Sequence, residues 1–256
     1  TDFVLSYYRN YYVKRDANYV LGINETQRQD VNDMWQYVVD GMIPAGNPNA
    51  GALKFKDLNG YLRDDSGNIV MVNGKPAYSG SPDGMIDEAD MIYKGNSTPI
   101  PFSLNNSFEF GKFDVNVYFY GMFNNWQKNS TYTMFAGNLQ NVALYGENTL
   151  KSLANRWSYD NLNSSIPSIF AHVESTAAQR NGYYLEKAWF LRCDNVSLGY
   201  TFKTKKSNKY FSSLRVYAAA RNLFVITPYS GSDPETDSQA AYPNSRTYTF
   251  GIDITF

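Results

Sequence analysis

The chain has one cysteine, Cys193, and one histidine, His172, in 256 residues. A single cysteine excludes an internal disulfide. A single histidine excludes most zinc sites and every catalytic arrangement built on several imidazoles. The net charge of −1 at pH 7 provides no basic field to attract nucleic acid, so no nucleic-acid partner is expected. No stretch approaches the ~18 consecutive apolar residues of a membrane-spanning helix, and the mean hydropathy of −0.46 agrees. That shortage does not bear on a membrane β-barrel, whose strands alternate lipid-facing and water-facing residues and so average out polar. Residues 1–15, TDFVLSYYRNYYVKR, lack the basic start and apolar run of a secretory signal. Serine, aspartate and the one histidine stand at no spacing that links a nucleophile, a base and an orienting group, so the chain does not read as an enzyme.

Aromatic residues, by contrast, make up 16% of the chain, led by 22 Tyr and 16 Phe. Together with Asn/Gly/Ser punctuation this composition favours strands over helices. Residues 102–123, FSLNNSFEFGKFDVNVYFYGMF, show the pattern best. A two-residue turn at Gly111-Lys112 sets Phe110 opposite Phe113, Phe108 opposite Val115, Asn106 opposite Val117, Leu104 opposite Phe119 and Phe102 opposite Gly121. The other face carries Ser103, Asn105, Ser107, Glu109, Asp114, Asn116, Tyr118 and Tyr120. One hairpin thus has an apolar side and a polar side over about ten residues per strand, roughly the length a tilted strand needs to cross a hydrocarbon core.

The alternation recurs in NVSLGYTF (195–202) and LRVYAAAR (214–221). The second places Arg215 and Arg221 on the polar side, where a water-filled lumen solvates them and a dry sandwich core would not. It is strictest in TYTFGIDITF (247–256), where Tyr248, Phe250, Ile252, Ile254 and Phe256 form one face. These five are the expected lipid-facing row. The fold expected is all-β, an antiparallel transmembrane β-barrel of the outer-membrane type with long extracellular loops. A soluble β-sandwich also alternates, but it would need a second sheet over that terminal row.

Residues 124–188 read as a long extracellular loop region. Within it NTLKSLANRW (148–157) predicts a short helix capped by Asn148. Trp126 and Trp157 are candidates to stack on a ligand, or else pack the loops on one another. Residues 3–13 read as a strand, and 26–42 as the site of a short helix.

An aspartate-rich frame is split by an insertion. FKDLNG (55–60) and DGMIDEAD (83–90), joined by deleting residues 61–82, give D-L-N-G-D-G-M-I-D-E-A-D. Oxygen side chains then occupy positions 1, 3, 5, 9 and 12, with Gly at 6, as in a twelve-residue calcium loop. The candidate Ca²⁺ ligands are Asp57, Asn59, Asp83, Asp87 and Asp90; a solvated acidic turn is the alternative. Position 12 is Asp where such loops use a bidentate Glu. The insertion holds Asn73-Gly74 between NIVMV and KPAY, a hairpin signal, so residues 57–90 are expected to be an Asp-rich loop carrying the hairpin 61–82.

Taken together, FKDLNG…DGMIDEADMIYKG, NRWSYDN (155–161), FLRCDNVSLGYTF, SSLRVYAAARNLFVITPYSGSDPE and YPNSRTYTFGIDITF resemble the C-terminal part of SusC/RagA-like TonB-dependent outer-membrane transporters of Bacteroidetes. The resemblance covers roughly residues 50–256, departing from the family at the 61–82 insertion and at Cys193, where Leu is frequent. It implies a barrel of about 22 strands filled by an N-terminal plug. This chain would be its C-terminal portion, about seven or eight strands without the plug. The implied function is TonB-dependent import of oligosaccharides or oligopeptides across the bacterial outer membrane. The implied partners are a SusD-like surface lipoprotein, TonB, the glycan or peptide substrate and outer-membrane lipid; pairing of two transporter–lipoprotein units is a further expectation. No cofactor is required beyond the candidate Ca²⁺. A terminal strand ending in Phe also resembles the signal read by the barrel-assembly machinery. The rival readings are a small stand-alone outer-membrane barrel, acting as pore or adhesin, and a secreted glycan-binding β-sandwich.

Overall fold

The computed structural model of the chain describes residues 1–14, 25, 28–129, 150–168, 182–203, 211–236, 242 and 244–256. Among these residues there is no α-helix. Six strands build one antiparallel sheet: β1 (Asp2–Leu5), β2 (Ile100–Phe110), β3 (Phe113–Phe123), β4 (Phe190–Lys203), β5 (Ser213–Ile226) and β6 (Thr247–Thr255). Their spatial order is their chain order, so the sheet is an up-and-down meander. It is open, with β1 and β6 as its edges. Strands of 11 and 14 residues match or exceed the ~9–11 residues of a tilted membrane-crossing strand.

The register follows the alternation. Phe110 pairs with Phe113 and Phe102 with Gly121, as the turn at Gly111-Lys112 requires. Gly111 has φ 64, a conformation glycine adopts without strain, and it opens the two-residue turn that matches strand twist. Apolar side chains then line up across the sheet. One row runs Phe108, Val115, Leu198, Ala218, Phe250; the next runs Phe110, Phe113, Tyr200, Val216, Ile252. This face is open: Phe108, Phe110, Leu198, Phe202 and Val216 are all exposed.

The opposite face is polar and internally bonded. Asn116 Nδ2 donates to Asn105 Oδ1 and Ser107 Oγ. Arg215 grips Asp114 in a bidentate pair, Nε–Oδ1 2.9 Å and Nη2–Oδ2 2.6 Å, and reaches Asp253 at 2.9 Å. Gly199 makes room for this: a Cβ there would lie 2.3 Å from Asp114 Oδ1 and 2.6 Å from Arg215 Nε.

Because the strands reverse at every step, the connections 6–99, 124–189 and 227–246 all leave and re-enter the sheet at one end. The other end has the tight turn at 111–112 and the connection 204–212. Buried hydrophobic residues are found chiefly at the first end, not on the sheet faces: Tyr37, Ala52, Leu53, Met91, Leu153, Trp157 and Tyr229. Tyr37 and Met91 pack with Trp35 and Phe55. A sheet whose two faces contact different surroundings has no dry interior of its own, so the connections supply it.

Two local expectations are corrected. The helix expected within 26–42 is replaced, over its described residues, by strands Asp33–Gln36, paired with Ile92–Asn96, and Val39–Met42, paired with Leu53–Phe55. β-Branched Val38 and Val39 favour extended backbone, Gly41 sits at φ 81, and the pairing partners lie too far along the chain for local periodicity to register. Of the strand expected over 3–13, only residues 3–5 are regular, within the strand Asp2–Leu5. Lys151–Asn155 forms a 3₁₀ turn without a side-chain cap; Asn148 and His172 lie outside the described residues.

The first connection is pinned by Asp30, a nearly fully buried residue whose carboxylate takes Arg9 Nε at 2.8 Å and the Asn32 N–H at 2.9 Å. Burial alone would raise its pKa, but these donors outweigh it and hold the group below its ordinary 3.8. A depressed carboxylate stabilises the fold above its unfolded value and loses that contribution as pH falls through the folded one. Acidification below pH about 3.8 should therefore expose the Tyr12 and Val31 amides to hydrogen exchange, and Arg9→Gln should move that transition to higher pH. Gly199→Ala should disengage Arg215 from Asp114 at a cost of ~1–3 kcal/mol. In denaturant unfolding, adding Arg215→Ala to Gly199→Ala should cost little more than either change alone.

Candidate functional site

The Asp-rich segments do come together. Residues 61–82 loop out as a small antiparallel unit, with Met71–Val72 paired to Lys75–Pro76 and bridges Tyr61 to Tyr78 and Arg63 to Ile69. Asn73 at φ 52 and Gly74 at φ 75 form the left-handed turn that Asn-Gly favours. At its base, Gly60 and Asp83 are in contact so close that a Cβ on Gly60 would sit 2.6 Å from the aspartate.

The carboxylates around this base face backbone N–H groups. Buried Asp90 accepts from Leu58 N at 2.6 Å and Asn59 N at 3.0 Å through Oδ1, and from Asp87 N at 2.9 Å through Oδ2. Asp57 accepts from Asp83 N (3.2 Å) and Gly84 N (2.6 Å), Asn59 Oδ1 from Gly60 and Gly80, Asp83 from Met85 N, and Asp87 from Ala89 N. Among the described residues no three acidic, cysteine or histidine side chains converge as a metal cage. The arrangement is a clasp in which side-chain oxygens join 57–60 to 83–90 across the insertion. Burial raises the pKa of Asp87, the charges of Asp90 and Asp83 add to the rise, and the Ala89 N–H opposes it. Burial, with Asp87 and Glu88 nearby, pushes Tyr61 up to about 12.

The two tryptophans are placed differently. Trp157 is buried, its ring filling the space over Gly51, where a Cβ would lie 2.4 Å from Cε3. It therefore packs 124–189 against 6–99 and is not presented to a ligand. Trp126 is half-buried in a short strand, Trp126–Lys128, paired with Leu185–Lys187, and Lys187 Nζ lies 5.8 Å above its ring.

A further polar centre lies at the upper end of the sheet, on the polar face. Arg192, only 2% exposed, joins the 227–246 connection to the wall. Its Nη2 donates to Asp233 Oδ1 at 2.8 Å, its Nε is 2.6 Å from Glu235 Oε2 as an ion pair without hydrogen-bond alignment, and its Nη1 donates to Asn222 Oδ1. Tyr120 O–H lies 2.9 Å from both Glu235 oxygens. Glu186 completes the attachment, accepting from Asn129 Nδ2, Ser230 Oγ and Ser230 N at 2.8–2.9 Å. Beside Arg192 opens a cavity of about 550 Å³, lined by Tyr118, Tyr120, Asp194, Arg221 and the 244–247 backbone segment. Sequence reading had placed Tyr118, Tyr120 and Arg221 on the polar side but did not single out Arg192. The available signal was a charged residue three positions before an alternating run, with SGSDPE (230–235) as its acidic complement.

The terminal row is the most exposed apolar feature: Tyr248 61%, Phe250 83%, Ile252 64%, Ile254 51% and Phe256 90%. Tyr248, Phe250, Ile252 and Ile254 fall on the face that also carries Phe108 and Leu198, and Phe256 follows the last paired residue.

Asp90→Ala should free the Leu58, Asn59 and Asp87 amides to exchange, with a local loss of about 2–4 kcal/mol; Asp90→Asn should retain part of the protection. Calcium is tested by the same measurement. A bound ion slows exchange over 57–60 and 83–90 in a chelator-reversible way, whereas an unchanged profile leaves the carboxylates as clasp alone.

No protein-family model matches the chain. It is 29% identical over 194 residues to the TonB-dependent receptor SusC of Bacteroides thetaiotaomicron, covering 72% of this chain and 18% of that protein. It is 25% identical over 190 residues to the TonB-dependent receptor P3 of Formosa agariphila, covering 68% and 18%. The chain thus spans about a fifth of the length of these curated relatives. Among solved structures, the RagAB peptide transporter matches 91% of this chain and 23% of its own with a TM-score of 0.58 at 21% identity. The RagAB peptide importer in the open-open state matches 88% and 22%, with a TM-score of 0.56 at 23% identity. By sequence this chain is similar to TonB-dependent receptors, SusC among them, and by fold to part of the RagAB structures.

Proposed function

We propose that this chain is part of the barrel wall and outer loops of a TonB-dependent importer in the bacterial outer membrane. The observation that carries the proposal is the two-faced sheet: apolar rows in register and exposed on one side, a hydrogen-bonded and ion-paired surface on the other. Only a medium without hydrogen-bonding capacity suits the first face, and only water or polar ligand suits the second. Tyr248, Phe250, Ile252, Ile254 and Phe256 then face lipid, while Thr249, Asp253 and Thr255 face the lumen. A soluble sandwich would require a second sheet over those five side chains.

In this proposal the connections 6–99, 124–189 and 227–246 form the extracellular end, where a SusD-like lipoprotein would hand over substrate. The cargo is an oligosaccharide or oligopeptide, moved without any bond being made or broken, and TonB supplies the work through a part of the transporter other than this sheet. The Asp57–Asp90 clasp holds its insertion at that outer end, with calcium as its proposed occupant should an ion bind there.

Ile252→Lys places a charge at mid-strand on the lipid face and should cost ~2–4 kcal/mol of barrel stability, lowering the amount of folded protein in outer-membrane fractions severalfold. Thr249→Lys, on the lumen face, should leave that amount unchanged. Equal outer-membrane levels of the two variants, or a protein soluble without detergent, would sink the proposal.

A further inference from the structure

Beside Arg192 the polar face carries two charged side chains that its ion-pair frame leaves unused. Asp194 and Arg221 both line the cavity beside Arg192. Neither side chain has a hydrogen bond or ion pair among the described residues, nor do the two pair with each other. Their neighbours differ sharply: Arg192 is paired with Asp233 and Glu235 and donates to Asn222, and Arg215 is paired with Asp114 and Asp253.

The backbone aims these groups. The β4 register jumps from Cys193 to Asn195 against both of its neighbours: against β3 Asp194 is the extra residue of a bulge, and against β5 it stands opposite two residues, Asn222 and Leu223. At the same height β5 passes from Phe224 to Arg221, with Asn222 held at φ 50. Two adjacent strands therefore break their ladder together. Bulges re-aim side chains, and left-handed backbone at a residue other than glycine costs free energy that a fold retains only where something holds it. For Asn222 the compensation is visible: its side chain accepts from Arg192 and donates to the Asn244 carbonyl at 2.6 Å.

We infer that this cavity is a binding subsite for a short peptide segment carrying charges of both signs. A ligand carboxylate would sit on Arg221 and an ammonium on Asp194, beside the rings of Tyr118 and Tyr120. At about 550 Å³ the cavity has the size of an ordinary ligand site. A neutral sugar chain seated there would cover a carboxylate and a guanidinium without supplying a counter-charge, which is unfavourable. A zwitterionic peptide supplies both. The Arg192–Asp233–Glu235 frame keeps the far wall fixed, so the two free groups meet the ligand from a preset geometry.

This inference rests on the import reading, since it places the subsite on the lumen side of the wall, and the two can fail separately. The protein is purified in detergent from outer membranes, and equilibrium binding is measured for tetra-alanine with free termini, for N-acetylated and C-amidated tetra-alanine, and for maltotetraose. Asp194→Asn and Arg221→Gln are compared with wild type, with heat-modifiable migration as the check on folding. The free-termini peptide is expected to bind wild type, and to lose about tenfold or more in each variant or when capped. Capped peptide and maltotetraose should be indifferent to both substitutions. Absence of binding to wild type, equal binding of capped peptide, or maltotetraose binding that depends on Asp194 or Arg221 would overturn the subsite. None of those outcomes touches the import reading, which stands or falls on outer-membrane location and uptake by wild type.

Discussion

A side-chain period of two, held in register across five strand pairings, is the constraint on which the rest of this structure depends. A slip of one residue in any pairing would turn an apolar row toward the polar face. The tight turn at Gly111-Lys112 fixes the β2–β3 pairing, and the aligned bulges at Asp194 and Asn222 keep β4 and β5 in step above and below them. The Arg215–Asp114–Asp253 bridge spans β3, β5 and β6 on the polar face and ties three strands at one level.

Because both faces of the sheet are uncovered among the described residues, it contains little dry core of its own, and the packing problem moves to the connections. Trp157 over Gly51 joins two of them. Glu186, with Ser230 and Asn129, joins the second and third, and Arg192 fastens the third to the wall. Among the described residues, parts of three separate connections are thus joined at this end of the sheet. Two kinds of attachment hold them: aromatic packing away from the wall, and buried charge against the wall, where the polar face offers no apolar surface to pack on.

The Asp-rich segment shows how one composition serves two chemistries. Hard oxygens around a glycine turn suit a calcium ion, yet the same oxygens satisfy backbone N–H groups that a long insertion would otherwise leave unpaired. In this structure Asp90, Asp57 and Asn59 are engaged by N–H donors from both sides of the insertion. Spacing reveals that oxygens gather; it does not reveal which partner they take.

What the sequence alone determined is whatever repeats at short range. Strict alternation named the hairpin 102–123, its register and the exposed row from Tyr248 to Phe256, because strand geometry sends successive side chains to opposite faces wherever the strand sits. Asn73-Gly74 named its own turn, since the required backbone conformation is a property of those two residues. Tertiary structure alone decided the strands at 33–36 and 39–42, whose partners lie far along the chain, and the burial of Trp157, which depends on Gly51 more than a hundred residues away. It alone decided that Arg192 is spent on Asp233 and Glu235 while Arg221, on the same polar face, has no side-chain partner among the described residues. Alternation assigns a residue to a face; which charges on that face find partners depends on where a distant loop folds back over the wall.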